Sequence, residues 1–220
     1  MRTNLFRESF KYIMKAVEVE DIVASSSDAL NDFKREIASY DVNLSDTDWS
    51  NLLGLVKVKT AKKKEVIFSQ TELCNHVIYL MSGITATIYY YDNKEVVTRF
   101  FQKGNFNTNI VSAESKSMAS DALVAITDIK YLMLPFDFFL DSFLYSNTFG
   151  VFVRKKIMGM IIENKKNTTI KTINDTEIKY TFLEENYPLI IRDTPSKYIA
   201  KFIGVTPEAY SRFLSSRRKS

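Results

Sequence analysis

The sequence predicts an α+β protein in which a β-rich middle separates two helical parts. Three observations predict this class. From about residue 56 to residue 134, short runs of β-branched and aromatic residues alternate with turn-like pieces. Before and after that region, apolar residues recur every three or four positions, as they do along one face of a helix. The composition, 45% hydrophobic and 25% charged in 220 residues, is that of an ordinary globular protein.

The β-rich middle shows strand alternation most clearly in "GITATIYYY". Ile84, Ala86, Ile88 and Tyr90 can face one side of a strand, while the residues between them face the other. The piece that follows, "DNK" at 92–94, predicts a hairpin turn. Several such strands at spacings of roughly 8–12 residues predict an antiparallel sandwich, roll or barrel.

The amino-terminal part predicts helices. An apolar stripe over residues 5–17 indicates an amphipathic helix, which packs against the protein body or a partner subunit, or docks on a membrane surface. "ASSSD" at 24–28 is a break whose polar residues can cap a second helix, Ala29–Tyr40. "NLSDTDW" offers another capped start, at Ser45 or Asp46.

Helical periodicity returns after Pro135 and predicts one long helix. One stripe of this helix consists of Phe149, Val153, Ile157, Met160, Ile161 and Asn164, and all but Asn164 are apolar. This stripe can simply cover the β domain, or it can also face a second copy of the helix. We predict the dimer, with Asn164 fixing the register. The polar "NTTIKTINDTE" at 167–177 predicts a hinge, and "YTFLEENYPLII" predicts a helix closed by Pro188.

Positive charge is concentrated at the carboxy terminus. The formal net charge of the whole chain is only +4. Residues 196–220 contain six basic residues and one acidic residue, whereas the preceding 195 residues contain 24 basic and 25 acidic ones. A solvated basic tail and a nucleic-acid-binding segment both fit this distribution, so the periodicity of the segment has to decide between them.

The stretch "SKYIAKFIGVTPEAYSRFLS" favours a helix-turn-helix over a disordered tail. Thr194 or Ser196 can cap a first helix, and Gly204 can end it in the left-handed conformation. Thr206 can cap a second helix whose first position is Pro207. In such a motif the second helix enters the major groove of DNA.

The side chains of this motif divide into a packing set and a DNA-contacting set. Ala200 is small enough for a close helix crossing, and Tyr210 and Phe213 pack back onto the first helix. Arg212 can pair with O6 and N7 of a guanine, and the terminal cations suit phosphates. The residues predicted to contact DNA are Thr206, Glu208, Ala209, Ser211, Arg212, Arg217, Arg218 and Lys219.

A resemblance to a known family covers roughly residues 30–220. It is carried by "AKKKEVIFSQTELCNHVIYLMSGITATIYYYDNKEVVTRFFQKGNF", by the long helix, and by "KYTFLEENYPLIIRDTPSKYIAKFIGVTPEAYSRF". Its most specific pieces are Gly83, Gly104 and the carboxy-terminal motif. On these residues the chain resembles the Crp/Fnr family of bacterial transcription regulators.

The resemblance implies a homodimeric, DNA-binding regulator that reads a two-fold-symmetric double-stranded site, with RNA polymerase as a further partner. It implies a β-roll of the double-stranded β-helix or jelly-roll type, a dimerisation helix and a winged helix-turn-helix. The domains expected are a helical extension at 1–40, a cyclic-nucleotide-binding-like sensor roll at 41–140, the dimerisation helix and hinge at 141–173, and the DNA-binding domain at 174–220.

Two departures from the family pattern change what is expected. Members that bind cyclic AMP carry a glutamate and, later, an Arg-Ser/Thr pair after the turn that "GNF" forms here. Those positions are Asn109 and Ala119-Ser120 in this chain. Without the arginine no guanidinium fork meets the cyclic phosphate, so cyclic AMP is not the expected effector. The candidate pocket for an unidentified small-molecule effector consists of Asn107, Thr108, Asn109, Ala119 and Ser120.

The second departure concerns the wing of the DNA-binding domain. The chain stops at Ser220, soon after the second helix of the motif, so we expect no β-hairpin wing there. Any wing would have to come from strands before the first helix.

Other functional classes have little support in the sequence. One cysteine, Cys74, and one histidine, His76, cannot supply a disulfide, a zinc site or an iron–sulfur centre. A structural role is expected for both, with oxidation sensing or haem ligation as the alternative. We expect no metal, no cofactor, no enzymatic activity, no membrane span and a cytoplasmic location. The alternative function is a ligand-sensing module that acts through a protein partner without DNA.

Overall fold

A computed structural model of the chain describes residues 26–92, 94–145 and 147–217. The chain divides into two compact units, of which the second begins at Leu44. No helix in the described ranges is long and apolar enough to cross a membrane.

The described part of the first unit contains one helix, α1, over residues 26–38. Ala29, Phe33 and Ile37 are buried and lie four residues apart, so they share one face of α1. The helix predicted from Ala29 is therefore present and begins earlier than expected. The helix predicted at 5–17 lies outside the described residues.

The second unit contains the strands and the remaining helices. Its described strands are β1 (Lys57–Ala61), β2 (Val66–Phe68), β3 (His76–Ser82), β4 (Ile84–Tyr91), β5 (Lys94–Gln102), β6 (Phe106–Asn107), β7 (Ala122–Ala125) and β8 (Ile129–Pro135). Its described helices are α2 (Asp46–Leu55), α3 (Ile110–Ser115), α4 (Phe136–Leu144), α5 (Thr148–Thr172), α6 (Thr176–Asn186), α7 (Pro188–Asp193), α8 (Ser196–Ile203) and α9 (Pro207–Arg217). Ser45 caps α2 by accepting a hydrogen bond from the Asp48 amide, as predicted.

The strands form two four-stranded sheets, in the orders β1-β8-β3-β6 and β2-β7-β4-β5. Within each sheet, all neighbouring strands of the described residues pair in the antiparallel direction. The chain passes from one sheet to the other between β3 and β4, where Gly83 has φ +83°. Tyr91 pairs with Lys94, so the hairpin between β4 and β5 turns where the sequence predicts it. The predicted β-roll followed by helices is confirmed.

The second sheet has apolar residues packed on both of its faces, so apolar side chains do not simply alternate with polar ones along its strands. One face, with Phe101, Leu123 and Ala125, belongs to the core inside the roll. The opposite face carries Ile84, Ala86, Ile88, Val97, Phe100, Ala122 and Val124, which share a core with the carboxy-terminal helices. The helical domain is therefore docked on the outside of the roll.

The segment predicted as a hinge at 167–177 is mostly helical. Helix α5 continues to Thr172, where Asn167 and Ile170 are buried, so packing holds this part of the helix. The hydroxyls of Thr168 and Thr169 donate to the carbonyls four residues earlier, at 2.9 and 3.0 Å, and are satisfied within the helix. The connection to α6 is only three residues long, and Asp175 caps α6 by accepting from the Ile178 amide at 3.0 Å.

Pro188 acts differently from the expectation. The sequence predicts one helix closed by this proline, yet α6 ends at Asn186 and Pro188 occupies the first position of α7. That position needs no amide donor, and the fixed φ of proline suits it. The proline therefore starts a short helix.

Candidate DNA-reading helices and sensor cavity

Helices α8 and α9 form the predicted turn. Gly204 has φ +80° and ends α8, and the amides of Gly204 and Val205 both donate to the Ala200 carbonyl. Thr206 then starts α9, since its Oγ1 accepts from the Ala209 amide at 3.2 Å. The first helix differs from the prediction, because Pro195 is its N-terminal cap residue and provides no side-chain hydrogen bond. The reversal between the two helices follows from local backbone chemistry.

The packing between the two helices is tight. Ala200 is completely buried, and Tyr210 is 1% exposed. The ring of Phe213 lies 6.1 Å from that of Tyr210 and 5.4 Å from that of Tyr180 on α6. Helix α9 is thereby fixed on one side, and its other side is left open.

The open side of α9 carries three of the six predicted DNA contacts that lie in the described residues, Glu208, Ser211 and Arg212. These three and Ser215 are exposed and, at 100° per residue, lie within 100° of one another around the helix, so they share a face. The Arg212 side chain makes no ion pair or hydrogen bond with any residue of the described ranges. Ala209 is half-buried at the edge of this face. Arg218 and Lys219 lie outside the described residues.

Arg217 is placed differently from its expected role as a phosphate contact. Its guanidinium lies 3.1 Å from a carboxylate oxygen of Glu177 and 2.8 Å from one of Glu184. It also sits over the ring of Tyr180, 4.6 Å from the ring centre. These three residues share one face of α6, and Arg217 joins the end of α9 to that face. Its charge is therefore largely used within the chain.

The stripe predicted to form the dimer contact faces the chain's own body in part, and its last two residues, Ile161 and Asn164, are exposed. Phe149 and Val153 are buried, and Ile157 and Met160 are half-buried. At 100° per residue, the exposed apolar side chains Val151, Met158 and Ile162 lie on the opposite side of α5. Ile161, at 58% exposure, lies between the two stripes. Helix α5 has two apolar faces, and sequence periodicity selected the one that packs on the roll.

A cavity of about 340 Å³ lies between the roll and α5. Strand β5 contributes Arg99 and Phe101, β6 contributes Phe106 and Asn107, and Thr108 follows directly. Further lining comes from Val77, Ile110, Phe139, Ile157, Met160, Ile161 and Asn164. Two of the five residues predicted for the effector pocket, Asn107 and Thr108, are thus in the cavity wall. Asn164, predicted to set the dimer register, also lines this cavity.

Comparison with known proteins places this architecture. No protein-family model and no curated protein matches the chain. A CRP-family transcriptional regulator from Thermus thermophilus superposes with TM-score 0.58 at 15% identity, covering 73% of this chain and 84% of that one. FixK2 from Bradyrhizobium japonicum gives 0.56 at 16%, covering 75% and 85%. The c-di-GMP responsive regulator CLP from Xanthomonas campestris gives 0.57 at 13%, covering 77% and 90%.

The chain has the Crp/Fnr fold. Within this Crp/Fnr fold, the residues at the cyclic-nucleotide cassette positions serve the local structure. Asn109 caps α3 by accepting from the Ser112 amide at 2.9 Å, and its amide group donates to Asp121 at 2.7 Å. Ala119 is buried, and its amide donates to the Glu72 carbonyl at 2.9 Å. Asn109, Ala119 and Ser120 lie outside the lining of the cavity.

The Crp/Fnr fold here has no strand after β8 in the described residues. The sequence also allowed a wing built before the first helix of the motif. Helices α6 and α7 occupy that part of the chain, so the described carboxy-terminal domain is entirely helical. Residues 176–193 can form helices because Asp175 and Pro188 each supply a helix start.

The carboxy-terminal helices of this Crp/Fnr fold are held against strand β5. Lys201 of α8 pairs with Glu95, and the rings of Phe202 and Phe100 lie 5.2 Å apart. Lys171 at the end of α5 donates to the Thr98 carbonyl and lies 4.2 Å from the Phe202 ring centre. Burial, reinforced by the charges of Arg99 and Lys179, lowers the pKa of Lys171 to about 8.

Cys74 and His76 make local contacts within the roll. Cys74 is fully buried, its amide donates to Ser112 Oγ at 2.9 Å, and its thiol donates to the His76 carbonyl at 3.4 Å. Burial and the nearby charge of Lys59 lower the pKa of His76. The described residues contain no group of three or more histidine, cysteine or acidic side chains that could hold a metal.

The surroundings of Arg99 and Arg217 were not identified from the sequence, although the sequence pattern gave some indication of each. Arg99 and Phe101 are two residues apart on β5, so strand periodicity places both on the same face. Glu177 and Glu184 are seven residues apart on α6, which places two acids on one helix face where a basic residue can bind. The partner of those acids, Arg217, is separated in sequence and could be assigned only from the fold.

Proposed function

We propose that this protein is a homodimeric, sequence-specific DNA-binding regulator of transcription whose sensor roll does not use cyclic AMP. The observation that carries the proposal is the open face of α9, where Arg212 is exposed beside small polar residues while the opposite face is packed. An arginine in that setting can reach a guanine edge in the major groove. The resemblance of the fold to DNA-binding regulators supports the same role.

Dimerisation would follow from the outer face of α5. Val151 and Met158 are seven residues apart, and Ile162 lies one helical turn beyond Met158. All three are exposed on a helix of 25 residues. A second copy of α5 is the occupant we propose, because a two-fold pairing places two copies of α9 on one DNA site. RNA polymerase is the further partner proposed for such a regulator.

Selection of bound fragments from genomic DNA tests the function directly. We expect a two-fold-symmetric motif whose half-sites are about 10 base pairs apart, with affinity that falls steeply as salt increases. Failure to retard any DNA at low salt, together with salt-insensitive binding to a protein, would instead support a sensor that acts through a protein partner.

The dimer face has its own prediction. Replacing Met158 and Ile162 with glutamate places two charges in the proposed contact and should convert the dimer to a monomer, as measured by light scattering after size-exclusion chromatography. Met118→Glu is the matched control, because Met118 is 72% exposed on the roll. A double variant that remains dimeric would contradict the assignment of this face.

A further inference from the structure

The cavity between β5 and α5 contains two buried donors with unmet hydrogen-bonding capacity. Among the described residues, Arg99 Nε and Asn107 Nδ2 have no hydrogen-bond partner. Asn107 is 6% exposed, and the Arg99 side chain is 17% exposed. Buried polar groups in folded proteins are nearly always paired, so two such donors in one cavity wall indicate an acceptor that enters from outside the chain.

The charge of Arg99 is only weakly compensated. Its Nη2 donates to the Met160 carbonyl at 3.2 Å, and the nearest carboxylate oxygen, from Glu163, lies 3.9 Å away. The Phe101 ring is 4.7 Å from the guanidinium carbon. No acidic side chain of the described residues lines the cavity. An anion that reaches Arg99 would therefore meet a partly free guanidinium fork and no repelling carboxylate in the wall.

The remainder of the cavity is apolar and small. Phe106, Phe139, Ile157 and Ile161 form much of its wall. Its volume of about 340 Å³ lies at the lower end of the usual range for small-molecule sites. A ligand that fits both features has one anionic acceptor group and a compact apolar body. Ribose and purine would place polar groups against these aromatic and aliphatic side chains.

We propose that this cavity binds a small monocarboxylate with an apolar body, its carboxylate held by Arg99 and Asn107. This assignment deepens the proposed regulatory function and rests on it for the consequence of binding. The contacts that we propose for the ligand do not depend on whether the protein binds DNA. Arg99 lies on β5, outside the cyclic-nucleotide cassette positions, so the anchor is a feature of this chain's own residues.

The position of Arg99 also indicates what the ligand would change. A carboxylate on the guanidinium competes with its contacts to Met160 and Glu163, both on α5. The neighbouring residue on β5, Phe100, faces the opposite way and packs on Phe202 of α8. Strand β5 therefore has the ligand on one face and the DNA-binding helices on the other. Ligand binding would shift DNA affinity to the extent that it favours one arrangement of these contacts.

Isothermal titration calorimetry on the full chain tests the ligand class, with octanoate and benzoate as carboxylate probes and octanol as the uncharged control. We expect a carboxylate to bind, octanol to bind about 10-fold more weakly or less, and Arg99→Gln to lower carboxylate affinity by a similar factor. Arg192→Gln is the matched control, because Arg192 is exposed and paired with Asp193. It should leave affinity unchanged.

A second variant keeps the proposal testable if Arg99→Gln fails to fold. Ile157→Trp fills the cavity and retains the arginine, and it should abolish carboxylate binding while circular dichroism stays native. The proposal is overturned if neither carboxylate binds at millimolar concentration, if Arg99→Gln binds them as well as the parent, or if cyclic AMP binds with the same dependence on Arg99. DNA retardation is measured separately, so failure of the ligand and failure of DNA binding are distinguishable.

Discussion

Replacing Arg212 with alanine should remove most of the protein's discrimination between its selected DNA site and a scrambled duplex. Arg212 is exposed at the centre of the open face of α9. A bidentate arginine–guanine pair contributes about 1–3 kcal/mol, and the proposed dimer loses two such pairs, so discrimination should fall about 30-fold or more. Competition binding at one fixed salt concentration, with both duplexes, measures this ratio.

The control for Arg212 is Arg192→Ala, which removes the same charge from a residue paired with Asp193 on α7. We expect it to change affinity for both duplexes only slightly and equally, since it alters the field without altering base contacts. If Arg212→Ala weakened both duplexes alike, Arg212 would be a phosphate contact and the assignment of base reading would be wrong.

Gly83→Ala should be the most destabilising of the alanine substitutions considered, by about 3–5 kcal/mol. Gly83 has φ +83°, and an added Cβ would lie 2.7 Å from Thr127 Oγ1 and 2.8 Å from Ile129 Cγ2. It would also overlap the backbone carbonyl of Asp128, which cannot rotate away. The turn between the two sheets would have to open. Urea unfolding followed by circular dichroism measures the loss.

Gly204→Ala separates backbone strain from this overlap. Gly204 has a similar φ of +80°, but a Cβ there would meet nothing within 4 Å. Its cost should therefore be about 1–2 kcal/mol, the penalty of a left-handed conformation alone. Equal losses at the two glycines would show that strain, and not contact with the Asp128 carbonyl, determines the effect at Gly83.

Elements that depend on neighbours in sequence were predictable. The turn between α8 and α9 is specified by Gly204, Thr206 and Pro207, which act through backbone bonds within a few residues. The hairpin between β4 and β5 and the cap at Ser45 are local in the same sense. The order of strands in the roll is not local, and it was anticipated only through the resemblance to Crp/Fnr regulators.

The errors arose where one local pattern fits two tertiary arrangements. The apolar residues of α5 form two stripes, and periodicity alone cannot tell which one packs on the roll. The threonines near residue 170 suit a loop as well as a helix, and the burial of Asn167 and Ile170 keeps the segment helical. The local preferences of these residues allowed both a loop and a helix, and packing decided in favour of the helix.

The sequence by itself determined the α+β class, the β-rich middle, the carboxy-terminal helix pair and Arg212 as a residue offered outward, because caps, alternation and left-handed glycines act over a few residues. Only the tertiary structure decided that Arg217 is held by Glu177 and Glu184, that α5 turns Met158 outward, and that Arg99 and Asn107 meet in one cavity. These depend on contacts between residues far apart in the chain, which no local pattern specifies.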